Sequence, residues 1–284
     1  KGTFKSKMKT IDLLDNFLLV AGFVLVLIAI SFGQTDSKWG TAKTISCFVI
    51  GGIIIIIFCY YNFIYCKYPV IPKNIMFNKH IFSAFMTYSF SYSVLMVMAQ
   101  FLCMYAETVL GHNPLHTGFF IIPCAIATCG ASVLNAFLIK KTRYIKPFCI
   151  FGAIILPISP GLCQLLKVKE HLGLIIGLEI ILGVGDGFNF QGPILSANIH
   201  APKDAGSTIL TTALLNFGRS TMTAFFSEIG SAIYSACLKS SIKEIAPYIH
   251  ETIIPLQTIL LEPQLLQKLD AHDKQLILEK VTDA

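Results

Sequence analysis

Apolar residues in this chain fall in long blocks, not at amphipathic intervals, and that pattern leaves few folds open. A bilayer core of about 30 Å is crossed by about 20 apolar residues of helix, each rising about 1.5 Å. Seven segments reach that length, at roughly 11–32, 45–65, 81–104, 117–138, 147–166, 172–194 and 207–236. Composition agrees: 54% of residues are hydrophobic and 13% charged, where a soluble domain carries about 25% charge. The expected fold is all-α, a multi-pass transmembrane helical bundle. Polar interruption of the first segment is confined to its start, at Asp12, Asp15 and Asn16. Gly51-Gly52, Pro123, Pro157 and Pro160 lie inside later segments, where neighbouring helices can satisfy the freed backbone groups.

Residues 237–284 break the pattern. Charges such as Lys243, Glu251, Lys268, Asp273 and Lys280 recur every few residues among apolar ones, so the stretch reads as an amphipathic segment outside the hydrocarbon. The net charge of +6 does not call for nucleic acid. Its basic residues lie in short loops and set an orientation. Lys1, Lys5, Lys7, Lys9, Lys67, Lys73, Lys79, Lys140, Lys141, Arg143, Lys146 and Lys203 fall on one side. The short loops on the other side hold only Lys38, Lys43, Lys167 and Lys169. The N-terminus is therefore expected in the cytosol and the polar tail across the membrane. A seven-helix receptor, the rival from another class, needs the opposite orientation.

Nine cysteines occur singly with no CxxC pair, and Pro114 lies between His112 and His116, so neither a metal site nor a cofactor is expected. Ionisable groups inside spans cost about 2.5–3.5 kcal/mol each at mid-membrane. The sixth segment holds Glu179 and Asp186, seven residues apart and hence on one helix face, and the seventh holds Arg219. At about 1.5 Å per residue from the cytosolic end, Asp186 lies near 12 Å, Arg219 near 18 Å and Glu179 near 22 Å. Arg219 is expected to pair with one of the two acids. The cluster is either a proton-coupling or substrate site, or an ion pair that locks two helices. Gln100 and Gln191 are expected to line a cavity or to bond between helices, and Glu107 and Glu228 to face water near span ends. Gly183, Gly185 and Gly187 surround Asp186. A dinucleotide loop would need a preceding strand, and an intramembrane aspartyl protease a second intramembrane aspartate. Neither is present, so the chain reads as a non-enzyme whose glycines serve close helix packing.

Lys140-Lys141-Thr142-Arg143-Tyr144-Ile145-Lys146, placed between two spans, resembles the cytosolic basic loop found in each half of the major facilitator superfamily. Gly118 to Pro123 resembles the glycine-to-proline entry of the helix before it, although Asn135 and Ala136 replace the usual glycine ahead of the loop. Gly183, Gly185, Gly187, Gln191 and Pro193, with Asn216 to Ser220, are similar to the last part of the fourteen-span drug–proton antiporters of fungi. Asp186 stands where that group has a small or apolar residue. The resemblance implies a partial major-facilitator fold: two additional central spans in 1–66, five spans of the C-terminal bundle in 67–236, and an outer loop in 237–284. The N-terminal half of the transporter would then be missing from this sequence. The resemblance further implies alternating access in the plasma or vacuolar membrane, with small molecules exported against protons and the basic loop latching the cytosolic face. Siderophore–iron and vacuolar basic amino-acid transporters share the superfamily and stand as alternatives.

Overall fold

The computed structural model describes residues 12–35, 39–66, 69–165, 172–204 and 206–245, and these form helices joined by short turns, with no strand among the described residues. The helices are α1 (Leu13–Thr35), α2 (Ala42–Tyr60), α3 (Lys73–Met76), α4 (Lys79–Thr108) and α5 (Pro114–Phe120). They continue with α6 (Ile122–Thr142), α7 (Lys146–Ile155), α8 (Ile158–Leu162), α9 (Leu172–His200) and α10 (Ser207–Ile245). A wide π-turn, Tyr61–Tyr65, extends α2, and a tight 3-10 turn, Cys163–Leu165, extends α8. The breaks follow the prolines. Pro123 cannot give an N–H to the turn before it, and the fourth segment divides at Ile121 into α5 and α6. Pro157 separates α7 from α8 in the same way, whereas Pro193 is absorbed inside α9. Arg143 closes α6 in the left-handed conformation, at φ 63°, with its N–H on the Ile139 carbonyl.

Among the described residues, six segments are long and apolar enough to cross a membrane: Leu13–Gln34, Ala42–Tyr65, Lys79–Thr108, Leu115–Thr142, Lys146–Leu165 and Leu172–His200. They coincide with the first six expected from sequence. The seventh folds as α10, whose Ser, Thr and Asn content, with Arg219 and Glu228, makes it less apolar than the rest. The helix also runs past residue 236 to Ile245, and the remainder of the expected amphipathic tail lies outside the described residues. Phe17, Ile56, Ile126 and Val133 are each more than two-thirds exposed. On a water-soluble protein such side chains would be a liability, and on a bilayer-embedded one they meet lipid.

The chain divides into two compact units, residues 1–90 with 194–232 and residues 91–193 with 233–284, so their boundaries fall inside α4, α9 and α10. In the first unit, α1 and α2 approach closely through glycine. A methyl group on Gly22 would lie 2.7 Å from Ile55, and one on Gly51 would lie 2.9 Å from Val26. Phe23 of α1 meets Phe217 and Phe225 of α10 edge to face, at 5.9 and 5.8 Å between ring centres. Nearer the other end of α1, Gln34 donates to the backbone carbonyl and the carboxylate of Glu228.

The polar start of α1 is a tie. Asp12 caps the helix, one carboxylate oxygen accepting the N–H groups of Leu14 and Asp15 at 3.1 and 3.3 Å. Its other oxygen accepts the Tyr61 hydroxyl at 2.8 Å and the Cys66 thiol at 3.3 Å. Asp15 accepts the Val70 N–H, and the Asn62 amide pairs with both backbone groups of Ile71. These bonds fasten the connection after α2 to the foot of the α1–α2 pair. The Tyr61 hydrogen bond, the largest influence on Asp12, holds its carboxyl below the ordinary 3.8. A lowered value means that the stabilisation is complete above the ordinary pKa and is lost as pH falls through the folded one. The thermal midpoint should therefore drop on acidification below about pH 4. In Asp12→Ala that acid limb should be shallower, and an unaltered limb would show that the tie contributes nothing.

Candidate functional site

In the second unit the site is built around α9, which, with α4, is the most enclosed of the spanning helices. Gly183 and Gly187, one turn apart, face α6. A methyl group on Gly183 would stand 2.5 Å from the Cys124 carbonyl oxygen, and one on Gly187 would stand 2.6 Å from Ala131 and from the Thr128 carbonyl. Gly185 points elsewhere and meets the backbone of Leu156, just past α7, at 2.9 Å. At Gly183, Gly185 and Gly187 the bare α9 backbone lies against two neighbours at once.

At such close approach, short polar side chains reach the neighbouring backbone. Asn135 of α6 is fully buried and donates to the Phe188 carbonyl at 2.7 Å. Ser159 of α8 donates to the Leu178 carbonyl at 2.9 Å. The amide of Asn189, also fully buried, donates to the Cys149 carbonyl and accepts from Ser91 and from the Ala153 N–H. Asn135 stands where the resemblance has glycine, and Asn189 was not among the expected site residues. A carboxamide inside an apolar run was the available signal, since such a group needs a partner in hydrocarbon.

Glu179 is the outlier. It is 1% exposed, and neither carboxyl oxygen receives a hydrogen bond of ordinary geometry. The Cys124 thiol, a weak donor, is the group that reaches it. Cys103 of α4 and Cys163 after α8 lie within its electrostatic range. Asp186 is buried two turns further along α9.

Arg219 belongs to the first unit. Its guanidinium donates to the Tyr88 hydroxyl at 2.9 Å and stands 5.5 Å from the centre of the same ring. Gly218, next to it, leaves room for Phe85. Tyr88 thus engages Arg219 from the facing helix, through hydroxyl and ring together. Gln100 and Gln191 are both exposed. Lys140, Lys141, Arg143 and Lys146 are exposed as well. Lys140 and Lys141 end α6, where their charge suits the helix dipole.

No protein-family model matches the sequence. Curated proteins do. The chain is 28% identical to Protein SGE1 of Saccharomyces cerevisiae over 86% of its own length and 47% of the relative's. It is 27% identical to Efflux pump FUS6 of Gibberella fujikuroi over 89% and 45%, and 23% identical to MFS-type transporter pigP of Monascus ruber over 84% and 42%. Over most of its length the chain is similar to proteins named as MFS-type transporters and efflux pumps. It spans less than half the length of these curated relatives. The chain is an integral multi-pass membrane protein, and these relatives are named as a transporter and an efflux pump.

Proposed function

We propose that this chain forms part of a proton-coupled secondary transporter that exports small molecules by alternating access. Support comes from the relatives named as transporters and efflux pumps, and above all from Glu179. A carboxyl group enclosed in a spanning helix and reached only by a weak thiol donor is suited to take up a proton when its surroundings are dry and release it when they become wet. In this reading Asp186, Arg219, Gln100 and Gln191 are the further polar groups available to substrate or protons. Residues 1–66 act as two additional central spans and 67–236 as five spans of the C-terminal bundle. Lys140, Lys141, Arg143 and Lys146 face the cytosol of a plasma or vacuolar membrane.

The test uses inside-out vesicles that contain the whole protein and carry an outward-directed proton gradient, acidic in the lumen. Accumulation of a fluorescent lipophilic dye should depend on the protein and collapse when a protonophore is added. Accumulation indifferent to the protonophore would remove proton coupling from the proposal. Absence of any protein-dependent movement, across dyes of both charges, would remove transport.

A further inference from the structure

The face of α9 formed by Gly185, Phe188, Asn189 and Gly192, spaced i, i+3, i+4 and i+7, lies in contact with a single region of α7. A methyl group on Gly152 would meet the Gly185 carbonyl at 2.8 Å, Phe188 at 2.9 Å and the Asn189 amide at 3.0 Å. One on Gly192 would meet the Cys149 sulfur at 2.6 Å, and Phe151 packs edge to face on Phe188 at 5.0 Å. Into this contact Asn189 projects its amide. It donates to the Cys149 carbonyl at 3.0 Å and accepts from the Ala153 N–H at 3.2 Å and the Ser91 hydroxyl at 3.2 Å. Cys149 and Ala153 are four apart in α7, so their carbonyl and N–H are the two groups that close one helical turn. The turn is weakened from its other side too. Pro157, four residues beyond Ala153, has no N–H to offer the Ala153 carbonyl.

Opening a turn of a membrane helix normally strands a donor and an acceptor in hydrocarbon, at a cost of several kcal/mol each. Here one side chain already holds a donor against the carbonyl and an acceptor against the N–H. We propose that Asn189 is a positioning residue for a hinge in α7. Its amide takes over the Cys149 and Ala153 backbone groups when the turn opens, so that α7 bends at Gly152 without leaving them unpaired. The absence of a side chain on Gly152 gives the amide access, and Pro157 fixes where the bend falls.

The hinge and a merely structural contact predict opposite signs. If Asn189 only braces α7, removing its amide loosens the helix and speeds hydrogen exchange in residues 149–156. If it sustains the opened turn, Asn189→Leu, similar in size but without polar atoms, makes opening harder. Exchange across 149–156 should then slow about tenfold, as expected when a buried pair loses its partner. The measurement is hydrogen exchange with mass spectrometry on the whole protein in detergent micelles. Unchanged or faster exchange overturns the hinge. Pro157→Ala, which restores the missing N–H and leaves Asn189 in place, should also slow exchange, and it decides the question if the leucine variant does not fold. Acceleration in Pro157→Ala would equally overturn the proposal. Exchange is read without any transport assay, so failure of the hinge and failure of the transporter reading are separate results.

Discussion

Leucine at Gly187 is expected to cost the protein its fold, while leucine at Gly177 on the same helix leaves it intact. The contrast comes from what each position faces. Around Gly177 nothing lies within 4 Å of where a Cβ would stand. At Gly187 the Cβ alone would lie 2.6 Å from the Thr128 carbonyl and from the Ala131 side chain, and 3.0 Å from the Ser132 nitrogen. Two of those three are backbone atoms of α6, which cannot swing aside as a side chain can. Either α6 and α9 separate, or the helices distort. Overpacking of this kind costs about 1–3 kcal/mol for an added methylene or two and more when backbone must move, so a full leucine should exceed that range. Separation would also pull Asn135 from the Phe188 carbonyl, leaving a buried amide unpaired. Yield of monodisperse protein and the thermal midpoint measure the effect. Equal midpoints for the two leucine variants would mean that α6 and α9 are not in contact at these glycines.

Glu179→Gln should have the opposite profile, with folding kept and proton dependence lost. A carboxyl reached by no stronger donor than the Cys124 thiol holds little together, so its amide analogue, equal in shape, removes little structural contact. The thermal midpoint is expected to stay level or rise. An amide carries no proton across, so gradient-driven substrate movement should fall on the order of tenfold or more, the scale of losing one essential proton-transfer group. Downhill exchange of substrate, which needs no net proton movement, should persist. A variant that still concentrates substrate under a proton gradient would take Glu179 out of the coupling step. A variant that unfolds would mean that the carboxyl makes a structural bond after all.

Several features of this protein were legible in the residues because they are local. A run of apolar side chains long enough for a bilayer announces a spanning helix whatever surrounds it, and six of the seven expected segments emerged as such. The seventh was found as a helix but not bounded correctly. Alternating small, polar and apolar residues around 237 carry no stop signal, and α10 runs on to Ile245. The glycines around Asp186 announced close packing, since a helix that gives up side chains at intervals of two and four must be approached from more than one side.

The pairing of polar groups was another matter. Depth along a helix follows from counting residues, and by that measure Arg219 stood between two acids. The direction a side chain takes around the helix axis, and which helix lies opposite, follow from packing of the whole bundle. The Tyr88 hydroxyl on α4, which Arg219 bonds, and the Cys124 thiol, which reaches Glu179, could not be read from depth. Asn189 shows the same limit. Its own sequence neighbourhood holds no partner, and its amide finds the Cys149 and Ala153 backbone only because Gly152 and Gly185 let α7 and α9 meet. The sequence alone determined that the chain is a membrane helical bundle, since the hydrophobic effect acts on composition within about 20 residues. Tertiary structure alone decided which buried polar groups have partners, because hydrogen bonds demand heavy atoms about 3 Å apart, and only packing sets distances between helices to that tolerance.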